Sequence, residues 1–242
     1  MKLGESAAVD HYALALAPLA DRMIATDRAG DWVLTSPPIR KLPSGANLLC
    51  GRLQAILHGA RLEPLQLTDR TQFRSASAFE AHGDYARLDY GARRGAQYAV
   101  SDVAFDRSAL AGRNVIFVND INVTGSQLRW IEEVLETAKP RAIHWLMIVN
   151  TESRIGRRFP QLEDEINRSR FSGPVELASF LNGARFRATT KLVARLLGIG
   201  AESLRHILAA LDPAKRCGLV RAMFEDGLYS EEFLREKLAA VV

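Results

Sequence analysis

The stretch RNVIFVNDINVTGSQLRWIEEVLETA, residues 113–138, decides how this chain is read. Val115-Ile116-Phe117-Val118 is short, apolar and β-branched at both ends. A strand covered on both faces of a parallel sheet has this composition. The strand is expected to stop at Asn119-Asp120, where a polar loop begins: Ile121, Asn122, Val123, Thr124, Gly125, Ser126. Leu128, Ile131, Val134 and Leu135 then recur at helical spacing on one face. The order is strand, polar loop, helix. A loop at the carboxyl end of a parallel strand that runs into a helix start presents backbone N–H groups and the positive end of the helix dipole. It is therefore suited to an anion. Thr124 and Ser126 add hydroxyls, and Gly125 lets the backbone approach a ligand closely.

In these residues the chain resembles the type I phosphoribosyltransferases, whose signature is an apolar strand, two acids, two further residues and a Thr-Thr-Gly type of loop. Asp120 matches the second acid, Asn119 replaces the first, and Thr124 with Gly125 matches the centre of the loop. The resemblance implies an α/β fold of that type: a parallel sheet flanked by helices. It implies phosphoribosyl pyrophosphate (PRPP) or a nucleotide as ligand, with the 5-phosphate on residues 121–127, that is Ile121, Asn122, Val123, Thr124, Gly125, Ser126 and Gln127. Asp120 and Asn119 would then face the ribose hydroxyls as the catalytic pair. It further implies Mg²⁺ entering with PRPP, held mainly by ligand and water with no direct protein ligand, a nucleobase-like acceptor, and a homodimer. Two departures bear on catalysis. Asn119 brings no negative charge. Val123 stands where the family's 6-oxopurine enzymes carry an aspartate proposed as the base, and a valine moves no proton. Asp84, Asp89 and Glu152 are alternatives by location. A catalytically weak PRPP or nucleotide sensor is the second reading.

Working outward, WVLT (32–35) is a strand ended by Pro37 and Pro38, and the basic, Gly-containing loop that follows leads into a helix over 46–58. This second strand–loop–helix unit resembles the family's pyrophosphate loop in position, which makes Ser36, Arg40 and Lys41 pyrophosphate-side candidates. RLEPLQLTD (61–69) and residues 98–105 are further strands. Between them lies a polar, Arg-rich stretch with Arg70, Arg74, Arg87, Arg93, Arg94, Tyr85 and Tyr90. The resemblance makes it a hood over the site, and Arg74 and Arg93 candidates for pyrophosphate, because a guanidinium fork donates two parallel hydrogen bonds. AIHWLMIV (142–149) reads as a second central strand, with His144 a core residue.

Residues 6–26 form an amphipathic helix with Val9, Leu14, Leu16, Leu19, Met23 and Ile24 inward and a break or kink at Pro18. From about residue 159 the strand pattern gives way to short helices punctuated by Gly and Pro. The chain thus divides into an α/β core, 1–155, and a helical accessory or cap region, 156–242. Such an extension is similar to phosphoribosyltransferase-like proteins of tellurite-resistance stress gene clusters. Arg185, Arg187, Lys191 and Arg195 form a basic cluster through which the helices could meet RNA or protein.

Composition sets the outer bounds. Hydrophobic content of 48% with 25% charged residues suits a globular chain with a full core. A net charge of +4 suits a small anionic ligand and does not demand nucleic acid. Cys50 and Cys217, both expected to be buried, make neither a disulfide framework nor a metal site, and a reducing cytoplasm suits them. The apolar stretch of residues 6–24 is interrupted by Asp10, His11 and Asp21, so neither a signal peptide nor a membrane span is expected.

Overall fold

The structure is a computed structural model that describes residues 1–58, 61–70, 102–162, 165–166, 171, 173–227 and 229–239. The long helix α1 (Ser6–Thr26) precedes strand β1 (Trp32–Thr35), helix α2 (Gly45–Ile56) and strand β2 (Leu62–Pro64). A small antiparallel ribbon, β3 (Thr68–Asp69) with β4 (Val103–Ala104), leads to the long strand β5 (Asn114–Asn122). Helix α3 (Ser126–Glu136) and strand β6 (Ala142–Asn150) follow. The four main strands are all parallel, in the order β2-β1-β5-β6. The chain is therefore α/β, as expected.

Period-two alternation puts the two faces of β5 against different helices. Ile116 and Val118 pack with Leu49 and Leu53 of α2 and with Ala13 and Leu16 of α1. Val115 and Phe117 pack with Trp130, Ile131 and Leu135 of α3. Each buried aliphatic side chain contributes about 1.5–3 kcal/mol by leaving water, so this double cover fixes the register of β5.

Several expectations need correction. The strand does not stop at Asn119-Asp120. It runs to Asn122, because β6 continues beside it with Asn119 opposite Met147 and Asn122 opposite Asn150. The Asn122 Nδ2 donates to Asn150 Oδ1 at 2.7 Å. The β6 strand closes one edge of the described sheet instead of lying inside it, and most of its side chains are only half-buried. Its apolar run gave no hint of this, since hydropathy alone does not separate an edge strand covered by helices from a central one. His144 is half-buried instead of buried in the core, with its ring 5.1 Å from that of Trp32. The 61–69 stretch splits, β2 joining the parallel sheet and β3 the ribbon.

Helix α1 runs unbroken through Pro18. The proline is on the solvent side, where water can take the carbonyl it leaves without a donor. Its buried face is Val9, Ala13, Leu16, Ala17 and Ala20, while Leu14 and Leu19 face out. Small residues let α1 lie close on α2. Cys50 is half-buried, but Cys217 is exposed.

Beyond β6 come α4 (Ser153–Arg158), α5 (Pro174–Gly183), α6 (Thr190–Leu197), α7 (Ala201–Ala210), α8 (Pro213–Asp226) and α9 (Glu231–Ala239). Helices α5 to α9 share their own apolar cluster, including Leu181, Leu192, Leu196, Leu204 and Met223. Lys215 donates to the carbonyls of Leu181, Asn182 and Ala184 at the end of α5, where a cation offsets the helix dipole. Leu3 and Leu42, from outside these helices, pack against the same cluster. No helix among the described residues is long and apolar enough to cross a membrane.

Candidate functional site

The strand order creates a crevice. From β1 the chain passes through α2 to β2 on one side, whereas from β5 it passes through α3 to β6 on the other. Strands β1 and β5 are neighbours, so the loops at their carboxyl ends diverge to opposite faces of the sheet. In open parallel sheets this divergence point is where ligands bind. The loop after β5, residues 123–125, and the loop after β1, residues 36–44, form its two walls.

The β5 loop is compact and turned inward. Val123, Thr124 and Ser126 are all buried. The Thr124 and Ser126 hydroxyls meet at 2.9 Å, and Ser126 N–H donates to Thr124 Oγ1 at 3.4 Å. Gly125 caps α3 in the left-handed region, φ 77°, with no side-chain cap on the helix. A side chain there would be strained. Behind the loop, α4 lies so close that a Cβ on Gly156 would sit 1.6 Å from the Val123 carbonyl oxygen. Gly156 therefore sets the position of the loop. The burial of Val123 agrees with its inability to move a proton: its side chain fills space beneath the loop.

Asn119 and Asp120 fall on opposite faces of β5. Asn119 is buried, and its Nδ2 lies 3.5 Å from Gln127 Oε1 on α3, the long limit of a hydrogen bond. Asn119 is thus a neutral group facing a neutral partner. Asp120 accepts the N–H of Ile121 through Oδ1 at 2.7 Å. Its Oδ2 lies 3.6 Å from Lys2 Nζ. The donor set does not suit a magnesium held by the protein alone: Asp120 already faces the Lys2 ammonium, Asn119 is uncharged, and the described residues hold no group of three His, Cys, Asp or Glu able to bind a metal.

The wall after β1 is organised around Asn47. Its Nδ2 donates to Ser36 Oγ at 3.0 Å and to the Pro37 carbonyl at 2.6 Å. Its Oδ1 accepts the Ser44 N–H at 2.6 Å, and Ser44 Oγ accepts the Asn47 N–H at 3.2 Å, a reciprocal cap on α2. Ser36 also touches Cys50, whose thiol burial pushes up to about 12. Further along, Arg40 and Lys41 lie close to Asp226 at the end of α8. Asp226 is 1% exposed and accepts the Thr190 hydroxyl at 3.0 Å, while its Oδ2 has no hydrogen-bond partner. Burial raises its carboxyl to about 6 against the pull of Thr190, Arg40 and Lys41.

Residues 119–127 thus span the end of β5 and the start of α3, the Ser36 loop follows the neighbouring strand β1, and Arg40 and Lys41 lie close to Asp226 in the helical region. Arg74 and Arg93, with Arg87, Arg94, Tyr85, Tyr90, Asp84 and Asp89, lie outside the described residues. Glu152 is exposed at the start of α4. Arg185 and Arg187 are exposed and flank the bridge between Phe186 and Glu5. Lys191 and Arg195 lie one turn apart on α6, Arg195 over the Phe171 ring at 5.2 Å. A cavity of about 520 Å³ at the β3–β4 ribbon includes none of the candidate loop residues. Lys2, Gly156 and Asp226 went unnoticed in the sequence, because each acts on residues far away along the chain.

No protein-family model matches the chain, and no curated protein does either. Solved structures do match. A hypoxanthine-guanine phosphoribosyltransferase from Bacillus anthracis is 15% identical, with 64% of this chain and 73% of that one covered at a TM-score of 0.40. A purine phosphoribosyltransferase from Pyrococcus horikoshii is 14% identical over 60% and 74%, at 0.35. A hypoxanthine phosphoribosyl transferase from Trypanosoma cruzi is 16% identical over 65% and 71%, at 0.39. At such identities the chain's own residues have to carry the functional reading.

Proposed function

We propose that this protein binds PRPP and transfers ribose 5-phosphate between pyrophosphate and a nucleobase-like acceptor. The observation that carries the reading is the Thr124-Gly125-Ser126 turn, which stands between the end of β5 and the start of α3 beside the switch point of the sheet. A 5-phosphate seated there meets the amide donors that open α3 and the hydroxyls of Thr124 and Ser126. Asp120 accepts from a ribose hydroxyl, and Asn119 contributes a carbonyl oxygen without charge. The Ser36 loop faces the pyrophosphate through Ser36, while Arg40 and Lys41 stand beside Asp226. Any magnesium enters as the counter-ion of that pyrophosphate, as part of the substrate.

Breaking the bond from C1 to pyrophosphate develops positive charge on the sugar. Holding both ends still and stabilising the leaving group carry most of such a reaction. Val123 is excluded as a base, so the acceptor needs none at that position. We further propose a division near residue 155, with the helical region as a cap over the core, a reducing cytoplasm as its compartment, and a homodimer as its assembly. The separate apolar cluster of α5 to α9 supports the division.

A catalytically weak sensor is the second reading, favoured by a neutral Asn119 and by Asp120 already carrying a cation. Calorimetry with PRPP, followed by pyrophosphate release against a panel of bases, separates the two. Binding with release supports the transferase. Binding without release supports the sensor. No binding at millimolar PRPP removes both.

A further inference from the structure

Residues 1–6 are held from two sides. The Lys2 carbonyl accepts the Thr189 hydroxyl at 2.8 Å, the Gly4 carbonyl accepts the Arg187 N–H at 3.0 Å, and Ser6 N–H donates to the Arg185 carbonyl at 2.9 Å. These bonds tie the segment to the helical region. On the other side, the Lys2 Cα lies 3.0 Å from where a Cβ on Gly45 would be, so the segment lies against the first residue of α2. Gly4 itself is clamped: a Cβ there would fall 1.8 Å from the Arg187 carbonyl oxygen. The result places the Lys2 ammonium 3.6 Å from Asp120 Oδ2, with the two side chains 20% and 15% exposed.

We propose that Lys2 is a ligand-binding residue that forms, with Asp120, a paired receptor for the vicinal hydroxyls of a phosphorylated pentose, without a protein-bound metal. The inference rests on the pentose-phosphate reading of the 123–127 loop. At 3.6 Å the pair is an ion pair and not a short hydrogen bond. One sugar hydroxyl can donate to the carboxylate while its neighbour accepts from the ammonium. Both charges are sheltered at 20% and 15% exposure, so a diol placed against them is held in a site with little competing water. Lys2 also supplies positive charge beside a turn whose first position is the neutral Asn119. The helical region thereby gains a role: through Thr189, Arg187 and Arg185 it holds the segment that delivers Lys2 to the sheet.

The test is calorimetry in EDTA with ribose 5-phosphate and with 2-deoxyribose 5-phosphate, on the full chain and on Lys2→Met, Lys2→Gln and Lys2→Arg, with melting points taken alongside. Met and Gln keep the length of the stem and remove the charge. The wild-type chain is expected to bind ribose 5-phosphate without metal and to prefer it to the deoxy sugar by about tenfold, the scale of one charge-assisted hydrogen bond. Lys2→Met or Lys2→Gln loses that preference, because ribose 5-phosphate binding falls about tenfold more than binding of the deoxy sugar. Lys2→Arg restores it in part. An equal weakening for both sugars means a structural role and overturns the proposal. So does a preference that survives both neutral variants, or one that appears only with Mg²⁺; in those cases the phosphate loop stands. If the wild-type chain binds neither sugar phosphate, the proposal falls together with the reading of the loop.

Discussion

The two strand–loop–helix units start from the carboxyl ends of the two neighbouring inner strands and end in opposite designs. After β1, the polar groups satisfy one another: Asn47 joins Ser36, Pro37 and Ser44, and the start of α2 is closed by a reciprocal cap. After β5, the start of α3 is a left-handed glycine, with Thr124 Oγ1 bonded to the Ser126 hydroxyl and, at 3.4 Å, to the Ser126 N–H. One unit directs its hydrogen bonds inward and gains rigidity. The other opens its helix with a left-handed glycine and a looser set of bonds, which is where the proposed phosphate would sit. Substitutions in the first should therefore register in stability, and those in the second in affinity.

The largest effect is expected from Asn47→Ala. It removes a hub of four side-chain hydrogen bonds in a residue only 8% exposed. At roughly 1 kcal/mol each, with some compensation by water, about 3 kcal/mol should disappear from urea unfolding. Sugar-phosphate affinity of the folded fraction should stay close to wild type. A large affinity loss at unchanged stability would reverse the assignment of the two walls.

Next comes Asp226→Asn, which asks whether the first wall depends on the helical region. The folded state holds the Asp226 proton more tightly, with its carboxyl raised from 3.8 to about 6. Between those values the folded chain binds more protons than the unfolded one, so stability falls as pH rises through the window. The cost is fully present above about pH 6 and absent below about pH 4. Asp226→Asn keeps an acceptor for Thr190 and removes the buried charge. It should stabilise the protein by on the order of 2 kcal/mol at pH 8, and the gain should vanish at pH 3.5 to 4. Melting curves across pH check both sign and window. Equal curves at pH 8 would mean the ionised carboxylate is well accommodated by Arg40 and Lys41.

The smallest expected effect is also the most local. Thr124→Val keeps the shape of a buried side chain and removes its hydroxyl. Affinity for 5-phosphorylated ligands should drop by about 1–2 kcal/mol, read by calorimetry. The melting point should move less than for Asn47→Ala. Unchanged affinity in a folded variant would take Thr124 out of the site.

How much of this was legible in the sequence follows from the range of each interaction. Strand β1, the β5–loop–α3 unit and the helices after residue 173 were readable, because apolar period and Gly or Pro punctuation are local signals. The extension of β5 to Asn122 was not, since it depends on β6 pairing alongside. Leu14 and Leu19 read as core but face out, because alanines supply the close packing of α1. The same locality explains the site. Thr124 to Gln127 announce themselves by their order. Lys2 at Asp120, Gly156 under Val123 and Asp226 beside Arg40 join residues that share no sequence neighbourhood. A buried carboxylate at a helix end looks, in sequence, like any solvated one.

The central claim is that the turn between β5 and α3 is the phosphate seat. Amide-resolved NMR of the full chain, titrated with ribose 5-phosphate to millimolar concentration, tests it most directly. The N–H signals of Gly125, Ser126, Gln127 and Leu128 should shift together with one saturating curve, and those of the capped residues Asn47 and Leu48 should move far less. Saturable shifts confined to other parts of the chain, with residues 125–128 unmoved, would contradict it.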